Sequence, residues 1–257
     1  MLLAIDSGNT NIVFAVFDGD ELRGEWRSSN DSRKTADEYG IWLTQLMSLG
    51  GFTAADISDA IIATVVPETL YSLKTLCRTY FECEPLVVGE PGVKLGIEAL
   101  VDAPDDVGAD RLVNSVSAHL RFGGPLIIVD FGTATTFDVV DGDGNYFGGV
   151  IAPGINLSLD ALHAAAAKLP RVAVQKPPSV IGKRTVAAML SGVYWGYVGL
   201  IEGIVARIRD EYGAEMPVVA TGGLAPLFAE ATDDIEHLDP ELTLRGLSEI
   251  HRRNRTE

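Results

Sequence analysis

Leu3-Ala4-Ile5-Asp6-Ser7-Gly8-Asn9-Thr10 and, near mid-chain, Ile128-Val129-Asp130-Phe131-Gly132-Thr133-Ala134-Thr135 are two versions of one phrase. Each runs from an apolar strand into Asp, one further residue, Gly, and then hydroxyl or amide side chains, and each leads into a second apolar run. The second runs close alike, on Asp18-Gly19-Asp20 and Asp141-Gly142-Asp143, tripeptides suited to a hairpin turn. Asp6 and Asp130 stand close to half of the 257 residues apart. Matched flanks at that spacing point to a duplicated domain whose two equivalent loops are expected to face one cleft.

One copy reads as a strand whose carboxyl end delivers an Asp, then a Gly that lets the backbone turn and come close to a ligand. Glycine admits positive φ and the approach of main-chain N–H groups to phosphate oxygens. An Asp directed at phosphates is repelled unless a cation lies between them, so the pattern implies a nucleotide with a metal ion. An Asp-x-Gly can also be a plain hairpin turn, but turn chemistry alone does not explain the matched apolar flanks of both copies.

Composition bounds the reading. With 47% hydrophobic and 22% charged residues the chain is a folded globular protein, long enough for one large domain or two modest ones. A net charge of −16 argues against a nucleic-acid groove or an anionic membrane surface, both of which need clustered Lys and Arg. It leaves an anionic small substrate open, because a few local cations and oriented N–H groups decide that. The cluster Arg252, Arg253 and Arg255 reads as a solvated tail. Cys77 and Cys83 match no metal or redox spacing and are expected as free thiols. Asp6 interrupts the apolar start long before a signal-peptide core is complete, and no apolar run is expected to span a bilayer; the expected location is the cytoplasm.

Periodicity predicts strands near 2–6, 11–17 and 22–28, a helix from Ala36 to Leu49 opened by Thr35, a strand over 61–66 stopped by Pro67, a helix over 70–80 and a strand at 86–88. The second half repeats the hairpin at 126–130, 135–140 and 145–151. Helices near 157–167 and 185–212, a strand at 217–220 and a last helix near 241–250 follow. A hairpin followed by alternating helix and strand is an α/β arrangement with mixed sheets. The expected domains are 1–115 and 116–257, with a helix beginning near Asp110 between them.

Gly108-Ala109-Asp110-Arg111 sets a carboxylate and a guanidinium in the first turn of that helix, where the N-terminus favours anions. Asp110 there can take a proton from a substrate hydroxyl while Arg111 holds an oxyanion, or it can simply complement its own helix dipole. Gly148-Gly149 lies in the strand that leads to the loop at Pro153-Gly154, and Gly222-Gly223 ends a strand, where glycine admits either a flat ligand or close backbone packing. Thr185 is either a helix cap or a hydroxyl aimed at a substrate.

Taken in order, Asp6-Ser7-Gly8-Asn9-Thr10, Gly108-Ala109-Asp110-Arg111, Asp130-Phe131-Gly132-Thr133-Ala134-Thr135, Gly148-Gly149 through Pro153-Gly154, Gly182-Lys183-Arg184-Thr185 and Thr221-Gly222-Gly223 resemble the motifs of type III pantothenate kinases, over essentially the whole chain. The resemblance implies the actin-like ATPase fold, two duplicated ribonuclease-H-like domains around ATP. It also implies phosphorylation of pantothenate to 4'-phosphopantothenate, the first step of coenzyme A synthesis. Carried over by position, Asp6, Ser7, Gly8, Asn9, Thr10, Asn11, Ile12 and Val13 line the phosphate site, with Asp6 near the Mg²⁺-ATP phosphates. Thr133 contacts ATP, Asp130 holds a potassium or ammonium ion, and Asp110 is the catalytic base. Gly108, Ala109, Asp110, Arg111 and Thr185 bind pantothenate.

Family members usually form homodimers, and Val193-Tyr194-Trp195-Gly196-Tyr197-Val198 is either such a contact or a buried helix face. The chain departs from the family pattern at Ser7, where an apolar residue is usual, and at Val101, where many relatives carry Tyr. Arg184 stands where Asn is frequent, and Ala165-Ala166 where Thr often occurs. Two rival functions are another small-molecule kinase of the superfamily and an accessory factor for transcription. Gly108 to Arg111 together with Thr185 favours pantothenate over the first, and the acidic charge disfavours direct DNA binding for the second.

Overall fold

The computed structural model describes residues 1–165, 170 and 172–255. The first sheet is built from β1 (Leu2–Ser7), β2 (Asn11–Asp18), β3 (Glu21–Ser29), β4 (Asp59–Thr64) and β5 (Leu86–Val87), in the order β3-β2-β1-β4-β5. β1 pairs antiparallel with β2 and parallel with β4, which puts Asp6 between Val13 and Ala63. Successive residues of β1 and β2 point to opposite faces, and both faces are apolar because both are covered.

On one face Leu3, Ile5, Ile12, Phe14 and Val16 pack with Tyr39, Leu43 and Met47 of α1 (Ala36–Leu49) and with Leu73, Leu76 and Cys77 of α2 (Pro67–Tyr80). On the other, Leu2, Ala4, Val13, Ala15 and Phe17 meet Val113 and Val116 of α3 (Ala109–Phe122) and Leu244, Leu247 and Ile250 of the chain's last helix, Leu242–Asn254. Each Leu, Ile, Val, Phe or Met among them contributes about 1.5–3 kcal/mol when fully buried. Thr35 caps α1 as expected, its hydroxyl accepting from Glu38 N at 3.3 Å while the Glu38 carboxylate accepts from Thr35 N at 2.8 Å. Pro67 opens α2 rather than merely ending a strand: β4 stops at Thr64 and Pro67 takes the first helical position, where its missing N–H costs nothing.

The second sheet repeats the first. β6 (Leu126–Phe131), β7 (Ala134–Val140), β8 (Tyr146–Pro153), β9 (Val218–Gly222) and β10 (Ile235–Leu238) lie in the order β10-β9-β6-β7-β8, with β6 antiparallel to β7 and parallel to β9. Even the irregularity recurs, a register shift between Val16 and Phe17 in β2 and between Val139 and Val140 in β7. One face packs against α4 (Ile155–Ala165), α5 (Thr185–Tyr212) and α6 (Ala225–Ala229) through Ile155, Tyr194, Tyr197, Ile201 and Phe228. The expected end of α4 at Ala166 and Ala167 lies outside the described residues.

The two hairpin turns are not alike, contrary to expectation. Gly19 is the left-handed residue of a tight turn, φ 59°, whereas the second turn spans Asp141 to Asn145 and its left-handed residue is Gly144, not Gly142. The Asp141 carboxylate organises that longer turn by accepting from the N–H groups of Asp143 and Asn145 at 2.9 and 2.8 Å. α6 and β10 escape periodicity because each is only about one turn or four residues long.

The chain divides into two compact units, Met1–Arg121 with Glu241–Glu257, and Phe122–Pro240. The expected boundary at 115/116 would cut α3 at mid-helix, whereas the units divide after Arg121 in its last turn, and the last helix, α7 (Leu242–Asn254), belongs with the first unit because its apolar stripe covers the first sheet. By length and composition α5 could cross a membrane, with mean hydropathy 1.3 over an 18-residue window, a test that the core helix of a globular unit also passes. Part of that apolar content, Tyr194, Tyr197, Val198, Ile201 and Val205, is buried in the core of the second unit.

Candidate active site

Between β1 and β2 the chain turns through Gly8, Asn9 and Thr10 to Asn11, the first residue of β2. Gly8 N donates to Asn11 O at 3.0 Å, closing a compact loop at the carboxyl end of β1 directly after Asp6. Asn9, Thr10 and Asn11 are exposed and Asp6 is half-buried, whereas Ile12 and Val13 are buried. Of the expected phosphate-site residues, these last two can therefore offer a ligand only backbone. Ser7 also turns inward: its hydroxyl is 3.1 Å from that of Thr69, which accounts for a polar residue at a position usually apolar.

Three further contacts hold the loop from behind. Asn30, just past β3, donates from Nδ2 to Gly8 O at 2.6 Å and to Ser7 Oγ at 3.4 Å, and its backbone N–H donates to Thr10 O at 2.8 Å. Sequence reasoning missed Asn30 and Thr69, since a lone Asn after a strand and a Thr in a helix's first turn carry no motif.

Asp110 lies in the first turn of α3 with Gly108 just before it. Gly108 O accepts from the N–H groups of Arg111 and Leu112, so Gly108 acts as the cap, and a Cβ there would sit 2.6 Å from Asp110 Oδ1. That clash explains glycine at 108. Burial raises the Asp110 pKa above the ordinary carboxylate value, opposed by the hydrogen bond from Arg111 N at 2.8 Å and by the Arg111 charge. A carboxylate destabilised in this way is a stronger base. Val65 links the two parts of this unit's site: its N–H donates to Ser7 O at 3.1 Å, and its side chain lies 3.5 Å from a Cβ built on Gly108.

In the second unit the equivalent loop is one residue shorter, Gly132 to Ala134, and closes by Gly132 N donating to Ala134 O at 3.0 Å. Thr133 is exposed at its tip, and Gly154 packs against it, with a built Cβ only 2.1 Å from Thr133 O. Asp130 pairs across to Thr136 and Thr221. Gly222, at φ +89°, has room for no side chain, because a Cβ would lie 2.7 Å from Asp130 Oδ1 and from both Phe131 N and O. Gly154 and Gly222 thus serve the Asp130 and Thr133 loop itself.

Thr185 is not a helix cap. It is the first residue of α5, the cap position is Arg184, and no side chain bonds the helix end there. Its exposed hydroxyl lines an open groove of about 1020 Å³ with Ser158, Leu162, Met189, Gly192 and Tyr197. Gly182 lets the preceding loop lie on α5, since a Cβ would fall 2.2 Å from Ala188 N.

Two units of this topology define the actin-like ATPase fold, shared with sugar kinases. Solved structures agree at the level of fold. A conserved protein assigned to the Baf family of transcriptional activators from Campylobacter jejuni superposes with TM-score 0.63 at 19% identity, covering 98% of each chain. The activator of the 2-hydroxyisocaproyl-CoA dehydratase from Clostridium difficile, with bound ADPNP, gives TM-score 0.55 at 10% identity, over 100% of this chain and 98% of that one.

The family is decided by sequence. The model of type III pantothenate kinases matches residues 2–207, and the type III pantothenate kinase of Paramagnetospirillum magneticum is 70% identical over 100% of this chain and 98% of its own. This chain belongs to the type III pantothenate kinase family.

Proposed function

We propose that this protein transfers the γ-phosphoryl group of ATP to the primary hydroxyl of pantothenate, forming 4'-phosphopantothenate for coenzyme A synthesis. The observation that carries this reading is Asp110, a desolvated carboxylate fixed by Arg111 N at a helix start, in a chain of this family. Asp110 accepts the hydroxyl proton as the substrate oxygen bonds to the γ-phosphorus. The bond from that phosphorus to the bridging oxygen breaks, and ADP leaves with the electron pair. Arg111, Gly108, Ala109 and Thr185 hold pantothenate. Asp6 and the loop Ser7, Gly8, Asn9, Thr10 and Asn11, with the Ile12 and Val13 backbone and Thr133, hold the nucleotide.

Asp6, half-buried at a strand end beside a glycine loop, suits the Mg²⁺ that accompanies ATP. Asp130 faces the space that only glycine at 222 leaves free, a setting that suits one carboxylate with main-chain oxygens around K⁺ or NH₄⁺. The cations supply charge neutralisation. The chain's own groups align the hydroxyl and take its proton, which is most of what phosphoryl transfer needs.

We also propose a cytoplasmic homodimer. Gly192, Gly196 and Gly199 form an exposed strip of α5 where an added Cβ would meet nothing, and the same unit exposes the apolar residues Leu157, Val180, Ile181 and Val186. A strip of small residues lets a second helix come close, and the apolar surround is what a second copy would cover.

The test is phosphorylation of pantothenate by the purified protein with Mg²⁺-ATP in parallel K⁺, NH₄⁺ and Na⁺ buffers, with mass measured by light scattering. Product that needs K⁺ or NH₄⁺, formed by a dimer, is expected. No product in any buffer, with ATP still bound, would overturn the choice of substrate.

A further inference from the structure

The contacts behind the phosphate loop form one connected chain. Thr69 Oγ1 lies 2.9 Å from Val66 O, which also accepts from the Thr64 hydroxyl at 3.1 Å, and the two threonine hydroxyls stand 3.4 Å apart. Ser7 Oγ shares a hydrogen bond with Thr69 Oγ1 at 3.1 Å and accepts from Asn30. Asn30 has two Nδ2 hydrogens, one for Ser7 Oγ at 3.4 Å and one for Gly8 O at 2.6 Å. The opposite amide orientation would set Oδ1 against the Gly8 carbonyl, so the orientation is determined. The series runs Asn30, Ser7, Thr69, Val66, with Thr64 joined to its far end.

Its two ends explain its use. Asn30 grips the phosphate loop at three points, Ser7 Oγ, Gly8 O and Thr10 O. Thr69 is buried in the first turn of α2, and Val66 follows Val65, the residue touching both Ser7 O and the Gly108 position. Thr64 ties the same corner, its hydroxyl accepting from Val66 N at 3.0 Å. A chain of aligned hydrogen bonds in a buried setting is stiffer than its separate pairs. None of these side chains needs to touch the nucleotide for the loop's N–H groups to stay aimed at it.

We infer that Asn30 and Thr69 are positioning residues for ATP, holding the Ser7 to Thr10 loop in its binding shape through the hydrogen-bonded series Asn30, Ser7, Thr69, Val66. This rests on the loop's assignment as the phosphate site. It does not depend on the acceptor being pantothenate.

The experiment measures the Kd for Mg²⁺-ATP by calorimetry, together with KM for each substrate and the melting temperature. The proteins are wild type, Asn30→Ala, Asn30→Asp and Thr69→Val. Asn30→Asp keeps the shape and loses both donors; Thr69→Val keeps the shape and loses the relay. Expected are a rise of about tenfold in Kd and KM for ATP in both Asn30 variants and about threefold in Thr69→Val, from typical hydrogen-bond contributions, with KM for pantothenate unchanged. A merely structural role would lower the active fraction and kcat and leave both KM values alone, and that result would overturn the inference. So would Asn30→Asp binding ATP like wild type, which also decides the matter should Asn30→Ala fail to fold. Wild type that binds ATP without phosphorylating pantothenate would count against the proposed substrate only, because the Kd comparison still reads the loop.

Discussion

Replacing Gly222 by alanine tests the geometry around Asp130 most directly. Gly222 sits at φ +89°, and its Cβ would lie 2.7 Å from Asp130 Oδ1, Phe131 N and Phe131 O. The left-handed backbone costs an alanine about 1–2 kcal/mol, and forcing a methyl group into packed surroundings about 1–3 kcal/mol. Two of the three clashing atoms are main chain of the central strand β6, which cannot swing aside as a side-chain tip can. The expected loss is therefore about 2–5 kcal/mol, a fall of roughly 8–20 °C in melting temperature for a unit of this size. If the sheet yields by displacing the Asp130 carboxylate, the loss appears instead as weakened activation by K⁺. Gly223→Ala is the control, because its Cβ meets nothing within 4 Å. Thermal melts and a K⁺ titration of turnover, run on both variants, give the answer. Gly222→Ala matching Gly223→Ala in both assays would refute the reasoning.

Asp110→Asn should lower turnover by about 10²–10⁴ with the fold intact, as steady-state kinetics and circular dichroism would check; near-normal turnover would remove Asp110 as the base. Turnover should also fall on acidification through a pKa raised above the usual carboxylate value. The stability effect has the opposite sign. Between the ordinary and the raised value the folded state binds more protons, so Asp110 destabilises increasingly as pH rises through that window, and Asp110→Asn should melt no lower than wild type at neutral pH. Thr35→Ala removes the reciprocal cap of α1 and should cost about 1 kcal/mol in urea unfolding without changing either KM.

Much of the fold was legible because duplication writes the same physical demands twice. The continuous apolar runs within 2–6 and 126–130, the breaks at Gly8 and Gly132, and the long apolar run at 185–212 each predict an element that is present. β10 was not legible, since Ile235-Glu236-His237-Leu238 is too short to establish a period. The site was legible where motif and chemistry coincide, as in Gly108 to Arg111. It was silent at Asn30, whose role depends on the Gly8 carbonyl, 22 positions away in the chain.

The sequence by itself determined the duplication, the α/β class, the family and the loops at Asp6, Asp110 and Asp130, because strand periodicity, turn chemistry and motif spacing are local properties of the chain. Tertiary structure alone decided that α7 completes the first unit, that Ser7 faces Thr69 and not the ligand side, and that Gly222 exists to spare Asp130. Those three outcomes depend on which distant surfaces meet. A local pattern records which side chains are available, but only packing records what they touch.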